Sequence, residues 1–427
     1  MDAVMTRDAA GQPKRANWWL LGLLTFSCCI NYIDRGNLSI AAPQLSKELS
    51  LSPARLGWLL SAFFWTYAAF QVVGGWLVDR FDPYRVYGIG FFLWSAATAL
   101  TGFAGGFATL FVLRLALGVS ESIAYPSYSR IIAEDFPERR RGFANALVDA
   151  GTKTGPALGT LLGGLIIANF GWRALFLILG FGAMLWLPPW FVSVPRQHKG
   201  GIQQARGGPG FLEILRLRRA WGTFLGLFCC NYTWYFLLTW LPSYLVMERH
   251  YSMKMVAIFG SLPFWGIAAS SVFGGWASDR LIAAGGTPTR VRRAFAVGGQ
   301  LMCTLMLPAA LISDQAISMA LLIIACLSFG LFTSNLWAIT QTLAGPVAAG
   351  RWTGVQNGLG NLAGLTAPTI TGLIVSKTGS FFLAFVAVSV VLVIGAGSYF
   401  FLVDEVVPVA WKTAEKPSPA PAADLRS

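Results

Sequence analysis

The residues able to do chemistry are few, and they sit inside long apolar runs. Asp34, Arg35, Arg114, Glu121, Asp149 and Lys153 fall within such runs, with Arg130 nearer an end. Ionisable groups in lipid are costly, and those that persist usually face a cavity and mark a pathway. An arginine keeps its charge when dry, and its planar fork matches a carboxylate. Arg35 and Arg114 are therefore candidate anchors for an anion. Loss of water favours the uncharged form of a carboxyl group, so Asp34 and Glu121 are candidates for taking up and releasing protons. Arg114 and Glu121 are seven apart and share one helical face, ~10.5 Å from each other. Asp34 and Arg35 are adjacent and diverge by about 100° around a helix. A competing use for these groups is a fixed structural network, Arg114 with Glu121 and Asp34 with Arg35. Asp149 and Lys153 stand at i, i+4 and are placed to pair. Lys153 thus has two readings: it neutralises Asp149, or it faces a cavity and adds a second positive charge for a diacid.

Uncharged polar groups accompany these charges. Tyr32 precedes Arg35 by three residues, and Tyr67 lies mid-way along the next apolar run. Ser334, Trp337 and Gln341 follow an i, i+3, i+7 face, and Asn357 and Asn361 are four apart. Hydroxyls and amides both donate and accept, as a polyol requires, and Trp337 offers a flat face to a carbon chain. Hydrogen bonding between helices is the alternative use, above all for Gln341, Gln356 and Asn361.

The elements that must position these residues are membrane spans. Of 427 residues, 55% are apolar, 14% aromatic and only 12% charged, half the charge of a typical soluble domain. The mean hydropathy is +0.59. Runs such as 56–78, 220–247, 255–278 and 378–403 contain no Asp, Glu, Lys or Arg, and a spanning helix needs about 20 apolar residues. Nine such runs, with three charge-bearing spans near 17–44, 108–132 and 142–168, predict an all-α membrane protein of twelve transmembrane helices. The alternating period of barrel strands is missing. Six basic residues fall in loops on one side (Lys47, Arg55, Arg173, Arg249, Lys254 and Lys377), and most of the 32 fall on the other side with both termini. That bias places both termini in the cytoplasm. It also assigns the net charge of +13 to short loops against anionic lipid rather than to nucleic acid.

Several chemistries are excluded. All six cysteines lie in spans without metal spacing, and the only histidines, His198 and His250, lie in loops. No metal site, histidine relay or cofactor is expected. There is no nucleotide-binding glycine-lysine loop and no nucleophile–histidine pair, so neither ATP drive nor an enzyme is expected.

The chain repeats at an offset of 200. Cys29-x-Asn31-Tyr32 recurs as Cys229-x-Asn231-Tyr232, and Gly74-Gly75-Trp76-x-x-Asp79-Arg80 recurs as Gly274-Gly275-Trp276-x-x-Asp279-Arg280. The organisation expected is a tail, 1–16; a six-helix half, 17–194; a polar, basic linker, 195–219; a second half, 220–403; and a disordered tail, 404–427. Gly151, Gly155, Gly159 and Gly163 form a flat ridge for close helix contact, and Pro156 within it bends the helix.

Two six-helix repeats resemble the plan of major facilitator transporters, whose site lies between the halves. Gly75-x-x-x-Asp79-Arg80-x-Asp82-Pro83-x-Arg85 resembles that superfamily's signature between the second and third helices, although glycine is usual at Asp82, a departure that predicts a less tightly turned loop. The resemblance implies a gating role for Gly75, Asp79, Arg80 and Arg85, repeated in Asp279 and Arg280. Asn31-Tyr32-Ile33-Asp34-Arg35-Gly36-Asn37-Leu38 and Arg114-x-x-Leu117-Gly118-x-x-Glu121-x-x-x-Tyr125-Pro126 resemble the anion:cation symporter family, which includes galactonate, glucarate and hexuronate carriers and sialin. That resemblance implies proton-coupled import of an organic anion, most often a sugar acid, by alternating access. Asp34 and Glu121 would be its proton sites. Arg114 would hold the substrate or regulate Glu121, and Arg35 would support binding or gating. Tyr32, Tyr67, Ser334, Trp337 and Asn357 match substrate contacts; Gln341 and Lys153 are added from the residues themselves. An exchanger or uniporter would use the same arginines without the acids. The short loop after the first span has no accessible glycosylation sequon, which favours a bacterial inner membrane. The partners expected are the anion, protons and lipid, with no nucleic acid, and the protein is expected to be a monomer.

Overall fold

The structure, a computed structural model, describes residues 17–136, 138–194 and 209–411, without the side chains of 72, 79, 133, 138–143, 346, 347, 349 and 350. All regular structure among them is helical. The first half contains α1 (Trp18–Glu48), α2 (Pro53–Arg80), α3 (Pro83–Thr101), α4 (Phe107–Glu121), α5 (Ala124–Asp135), α6 (Glu138–Met184) and α7 (Leu187–Ser193). After the short α8 (Phe211–Leu215) come α9 (Arg218–Met247), α10 (Met253–Ala283), α11 (Pro288–Cys303), α12 (Met306–Leu311), α13 (Gln315–Thr378) and α14 (Phe382–Gly397).

Prolines and two glycines convert these elements into twelve rods among the described residues. Pro126 and Pro308 have no N–H for the carbonyls of Ser122 and Thr304, four residues earlier. The chain breaks at those places, between α4 and α5 and between α11 and α12. Pro188 and Pro189 follow the break between α6 and α7 in the same way. Gly171 (φ 80°) divides α6 and Gly345 (φ 64°) divides α13. Only glycine adopts such angles without strain. Among the described residues, eight segments are long and apolar enough to cross a membrane, and one of them, Ala144–Ser193, holds two rods. α1 is not among the eight, because Asn31, Asp34, Arg35 and Asn37 make it polar.

The repeat in the sequence reappears as repeated contacts. Ser52 and Ser252 each cap the next helix by accepting a backbone N–H, from Arg55 and Met255, both at 3.3 Å. A Cβ on Gly74 would lie 3.0 Å from the Ser122 carbonyl oxygen, and one on Gly274 would lie 2.8 Å from that of Leu331. In each half the glycine lets the second rod press on the fourth. The glycine ridge of α6 packs on α1: a Cβ at Gly155 would stand 2.7 Å from both the Cys29 oxygen and Tyr32 Cβ.

Among the described residues, the halves meet from one end to about the middle. Gly57 fits against Pro368 and Gly372, and Gly164 against Ala257. Ser39 Oγ donates to the Leu238 carbonyl at 2.7 Å near the middle. Towards the other end Gly75, Gly354 and Gly358 face open space, and Ala146, Asp149 and Ala150 are exposed. The assembly is therefore closed at the 49–52 and 248–252 turns and open at the 81–82 and 284–287 turns.

Three expectations change or fall outside the structure. The tail does not leave the body at Asp404: Val409 N donates to the Leu343 oxygen at 2.9 Å, and Trp411 Nε1 to that of Ala344 at 3.0 Å. The break at Gly345 leaves these carbonyls without helical partners, and the tail supplies them. Residues 412–427, the tail 1–16 and the linker stretch 195–208, including His198, lie outside the described residues. Asp82 does not loosen the turn after α2. It caps α3 from φ −61°, accepting from Tyr84 N and Arg85 N, with Pro83 at the first helical position. Its backbone is one that needs no glycine.

Candidate functional site

Between the halves lies a cavity of ≈ 650 Å³, open towards the unsealed end. α1 contributes Tyr32 and Arg35, α2 Tyr67, α5 Tyr125, and α6 Asp149 and Lys153. From the second half come Asn231, Trp234 and Tyr235 on α9, and Ser334, Trp337 and Asn357 on α13. The i, i+3 spacing of Tyr32 with Arg35, and of Ser334 with Trp337, aims each pair at one wall.

Arg35 is the best-held group in this wall. Its Nε donates to Glu121 Oε2 at 2.9 Å. Its guanidinium lies 4.5 Å from the Tyr67 ring centre, 4.6 Å from Tyr32 and 5.1 Å from Phe63, all within cation–π range. The Tyr32 hydroxyl meets that of Tyr125 at 3.1 Å. Glu121 is the last residue of α4, at the break that Pro126 enforces, and is 0% exposed.

A second pair lies behind this wall and does not line the cavity. Asp34 is 2% and Arg114 6% exposed. Arg114 Nη1 approaches the Asp34 carbonyl oxygen at 3.4 Å, and Asn37 Nδ2 donates to Asp34 Oδ1 at 3.0 Å. Neither pairing of the competing structural network forms: Glu121 pairs with Arg35, not with Arg114, and Asp34 does not pair with Arg35. The reason is the 100° divergence of adjacent residues, which turns Arg35 to the cavity and Asp34 away from it. Glu121 Oε1, Arg35 Nη2 and Arg114 Nε have no protein hydrogen-bond partner. The buried quartet thus holds two cations and two acids with bonding capacity to spare.

Lys153 faces the cavity with its Nζ 5.2 Å from the Trp234 ring centre. It makes no ion pair with Asp149, which instead accepts from Thr152 Oγ1 at 3.4 Å. Gln341 is exposed and does not line the cavity; it stands one turn beyond Trp337 and has left the cavity face. Gln356 is buried and accepts from Thr340 Oγ1 at 2.8 Å, a structural bond between the two rods of α13. Asn361 lines the cavity while accepting from the Tyr235 hydroxyl at 3.0 Å.

Among the described side chains, the gating residues make no ion pair with one another. Arg80, Arg85, Asp279 and Arg280 are exposed; Gly75 faces open space. Arg85 reaches only Asp82, at 3.9 Å, and Arg280 lies over Trp276 at 5.5 Å. The Asp79 side chain is outside the described residues. Sequence reasoning missed Tyr125, Trp234 and Tyr235, all cavity residues. Asn231 had a signal, its place in the repeat opposite Asn31, and Tyr125 closes the motif that begins at Arg114.

The model of the Major Facilitator Superfamily matches residues 24–368. The chain belongs to that superfamily. As a major facilitator it is a multi-pass membrane transporter, not an enzyme. It is 31% identical over 412 residues to a probable sulfoacetate transporter of Cupriavidus necator, covering 92% of this chain and 95% of the relative. A probable galactarate/D-glucarate transporter of Bacillus subtilis is 30% identical over 442 residues, with 95% and 96% covered. A D-galactonate transporter of Escherichia coli is 31% identical over 422 residues, with 93% and 98% covered. These relatives match the resemblance drawn from the first- and fourth-span motifs. A crystal structure of a bacterial homolog of the human lysosomal transporter Spinster, inward-facing and occupied, superposes with a TM-score of 0.78 at 20% identity, over 90% of this chain and 96% of that one. This major facilitator therefore shares its fold.

Proposed function

We propose that this major facilitator imports a small organic anion, a sugar acid or similar oxygen-rich acid, together with protons. The observation that carries the reading is the buried Arg35–Glu121 pair in the wall of the inter-half cavity. With both acids ionised, Arg35, Arg114, Asp34 and Glu121 have no net charge. Adding one carboxylate leaves an uncompensated negative charge in a dry site, where a pair of unit charges at 4 Å interacts by about 4 kcal/mol at an effective dielectric of 20. A proton arriving with the anion removes that cost. Protonation of Glu121 releases Arg35, whose Nε and unpartnered Nη2 form the fork that a substrate carboxylate fits. The cargo then replaces Glu121 as the counter-ion. Asp34, behind the same wall, supplies a second proton site coupled through Arg114.

The second half supports a polyol: Asn231, Ser334 and Asn357 offer neutral hydrogen bonds and Trp337 a flat face. Relatives named for sulfoacetate, galactarate or D-glucarate, and D-galactonate favour the same class. The lysine and arginine bias supports a cytoplasmic position for the open end and both termini, and the bacterial relatives favour a bacterial inner membrane. Outer closure at Gly57 and Gly372 would be exchanged for inner closure by rocking of the halves, with Arg80, Arg85, Asp279 and Arg280 drawn together with Asp79 at the inner gate.

The test is uptake into proteoliposomes under an imposed pH gradient, across a panel of aldonates, uronates and aldarates. The expected result is accumulation of at least one acid with alkalinisation outside. Accumulation indifferent to the gradient, without alkalinisation, would replace symport by exchange or uniport.

A further inference from the structure

We propose that Lys153 forms a second cationic subsite, so that the preferred cargo carries two anionic groups rather than one. The inference rests on the reading of the cavity as an organic-anion site. Among the described residues, three charged side chains line that cavity: Arg35, Asp149 and Lys153. Arg35 already has Glu121. Lys153 has no carboxylate within 4.0 Å among the described residues.

Its place on α6 is specific. Ala146, Asp149, Ala150 and Lys153 follow i, i+3, i+4, i+7, one helical face, and all four line the cavity. Further along that side, Thr160 approaches Gly260 and Gly164 presses on Ala257, sealing the halves. Lys153 is the last residue of the face before the seal, at the cavity's inner end. Asp149, one turn nearer the mouth, is exposed, whereas Lys153 is half-buried. Water therefore screens the acid more than the ammonium. Trp234, across the cavity, faces the ammonium with a ring rather than an acid. An aromatic face steadies a cation without cancelling its charge, which leaves Lys153 free to take an anionic group.

Arg35 and Lys153 belong to the same half, on rods that touch where Gly155 meets Tyr32. Their separation therefore persists when the halves rock. Among the described residues, the facing half contributes no charged lining residue. A cargo with an acid group at each of two points and hydroxyls between them matches this division, as an aldarate does; a sulfonate-carboxylate supplies the two acid groups alone. An aldonate would leave the ammonium facing a hydroxyl.

The experiment compares acids that differ in one terminal group. Galactarate carries a carboxylate where D-galactonate carries an alcohol, and sulfoacetate carries a sulfonate where glycolate carries an alcohol. Dissociation constants for both pairs are measured on the purified full-length protein and on Lys153→Gln and Lys153→Arg. The ratio within each pair does not depend on the fraction of folded protein. For at least one pair the wild type should favour the diacid tenfold or more. That ratio should fall about tenfold in Lys153→Gln and be largely restored in Lys153→Arg; tenfold is about 1.4 kcal/mol. A wild-type preference for the monoacid in every pair, or a ratio unmoved by Lys153→Gln, overturns the subsite and leaves anion transport standing. Failure of the wild type to bind or take up any acid removes the anion reading itself.

Discussion

Replacing Glu121 by glutamine isolates the charge that the proposed coupling needs. The side chain keeps its size and an oxygen that accepts from Arg35 Nε, now 2.9 Å away, so the wall keeps its shape. What goes is the titratable charge. Glu121→Gln is then a permanent copy of the protonated state, with Arg35 lacking its counter-ion at every pH. Simple loss of a partner from a buried ion pair costs about 3–5 kcal/mol, but the retained hydrogen bond and the aromatic rings around Arg35 should offset much of this. The variant should remain folded. The transport penalty follows from proton work: one pH unit is worth about 1.4 kcal/mol per proton, a tenfold accumulation for each proton carried. Losing the Glu121 proton should lower steady-state accumulation about tenfold under a one-unit gradient, while exchange across equal pH continues. Wild-type affinity should improve on acidification, and the variant's affinity should stay level. The assay is proteoliposome accumulation at fixed membrane potential, paired with binding at pH 5.5 and 8. Accumulation by Glu121→Gln as steep as that of the wild type, with the same alkalinisation, would refute the role of Glu121.

Three further outcomes are expected. Arg35→Lys keeps a positive charge but loses the fork and the Nε bond; anion affinity should fall about 10- to 100-fold, ~1.4–2.8 kcal/mol, and a change under twofold would exclude Arg35 as the anchor. A Cβ at Gly57 would lie 2.8 Å from the Pro368 oxygen, so Gly57→Leu should wedge the closed end apart and reduce uptake at least tenfold while binding persists; wild-type uptake would show that this contact need not form. Trp172 and Arg173 donate to Glu48 and hold its carboxyl below the usual carboxylate range. A depressed value means that the contribution is present above the unfolded pKa, near 4.3, and is lost as pH falls through the lower folded value. Glu48→Gln should therefore lower the melting temperature in detergent at pH 7 and make little difference at pH 3; an equal loss at both would point to another cause.

The twelve rods were legible because lipid permits so few solutions. A chain without internal hydrogen bonds cannot cross, so uncharged runs of the right length must be helices. The offset of 200 exposed the two halves before any contact was known, and the exceptions to an uncharged interior pointed to Asp34, Arg35, Arg114 and Glu121. The breaks inside rods were less visible as such, yet Pro126 and Pro308 stand four residues past them. Trp234 and Tyr235 carried no signal: an aromatic in an apolar run looks the same whether it meets lipid or a cavity.

What the sequence by itself determined was which side chains could hold charge in the membrane and on which rods they ride, because burial cost and helical period are local rules. Which acid met which base was decided by the tertiary structure. Seven residues along one helix put Arg114 on the same face as Glu121, but the approach of α1 delivers Arg35 to it instead, and Trp234 of the facing half, not Asp149 one turn away, meets the Lys153 ammonium. Pairing depends on the distance between elements that are remote in the chain, and only the packing of rod against rod sets that distance.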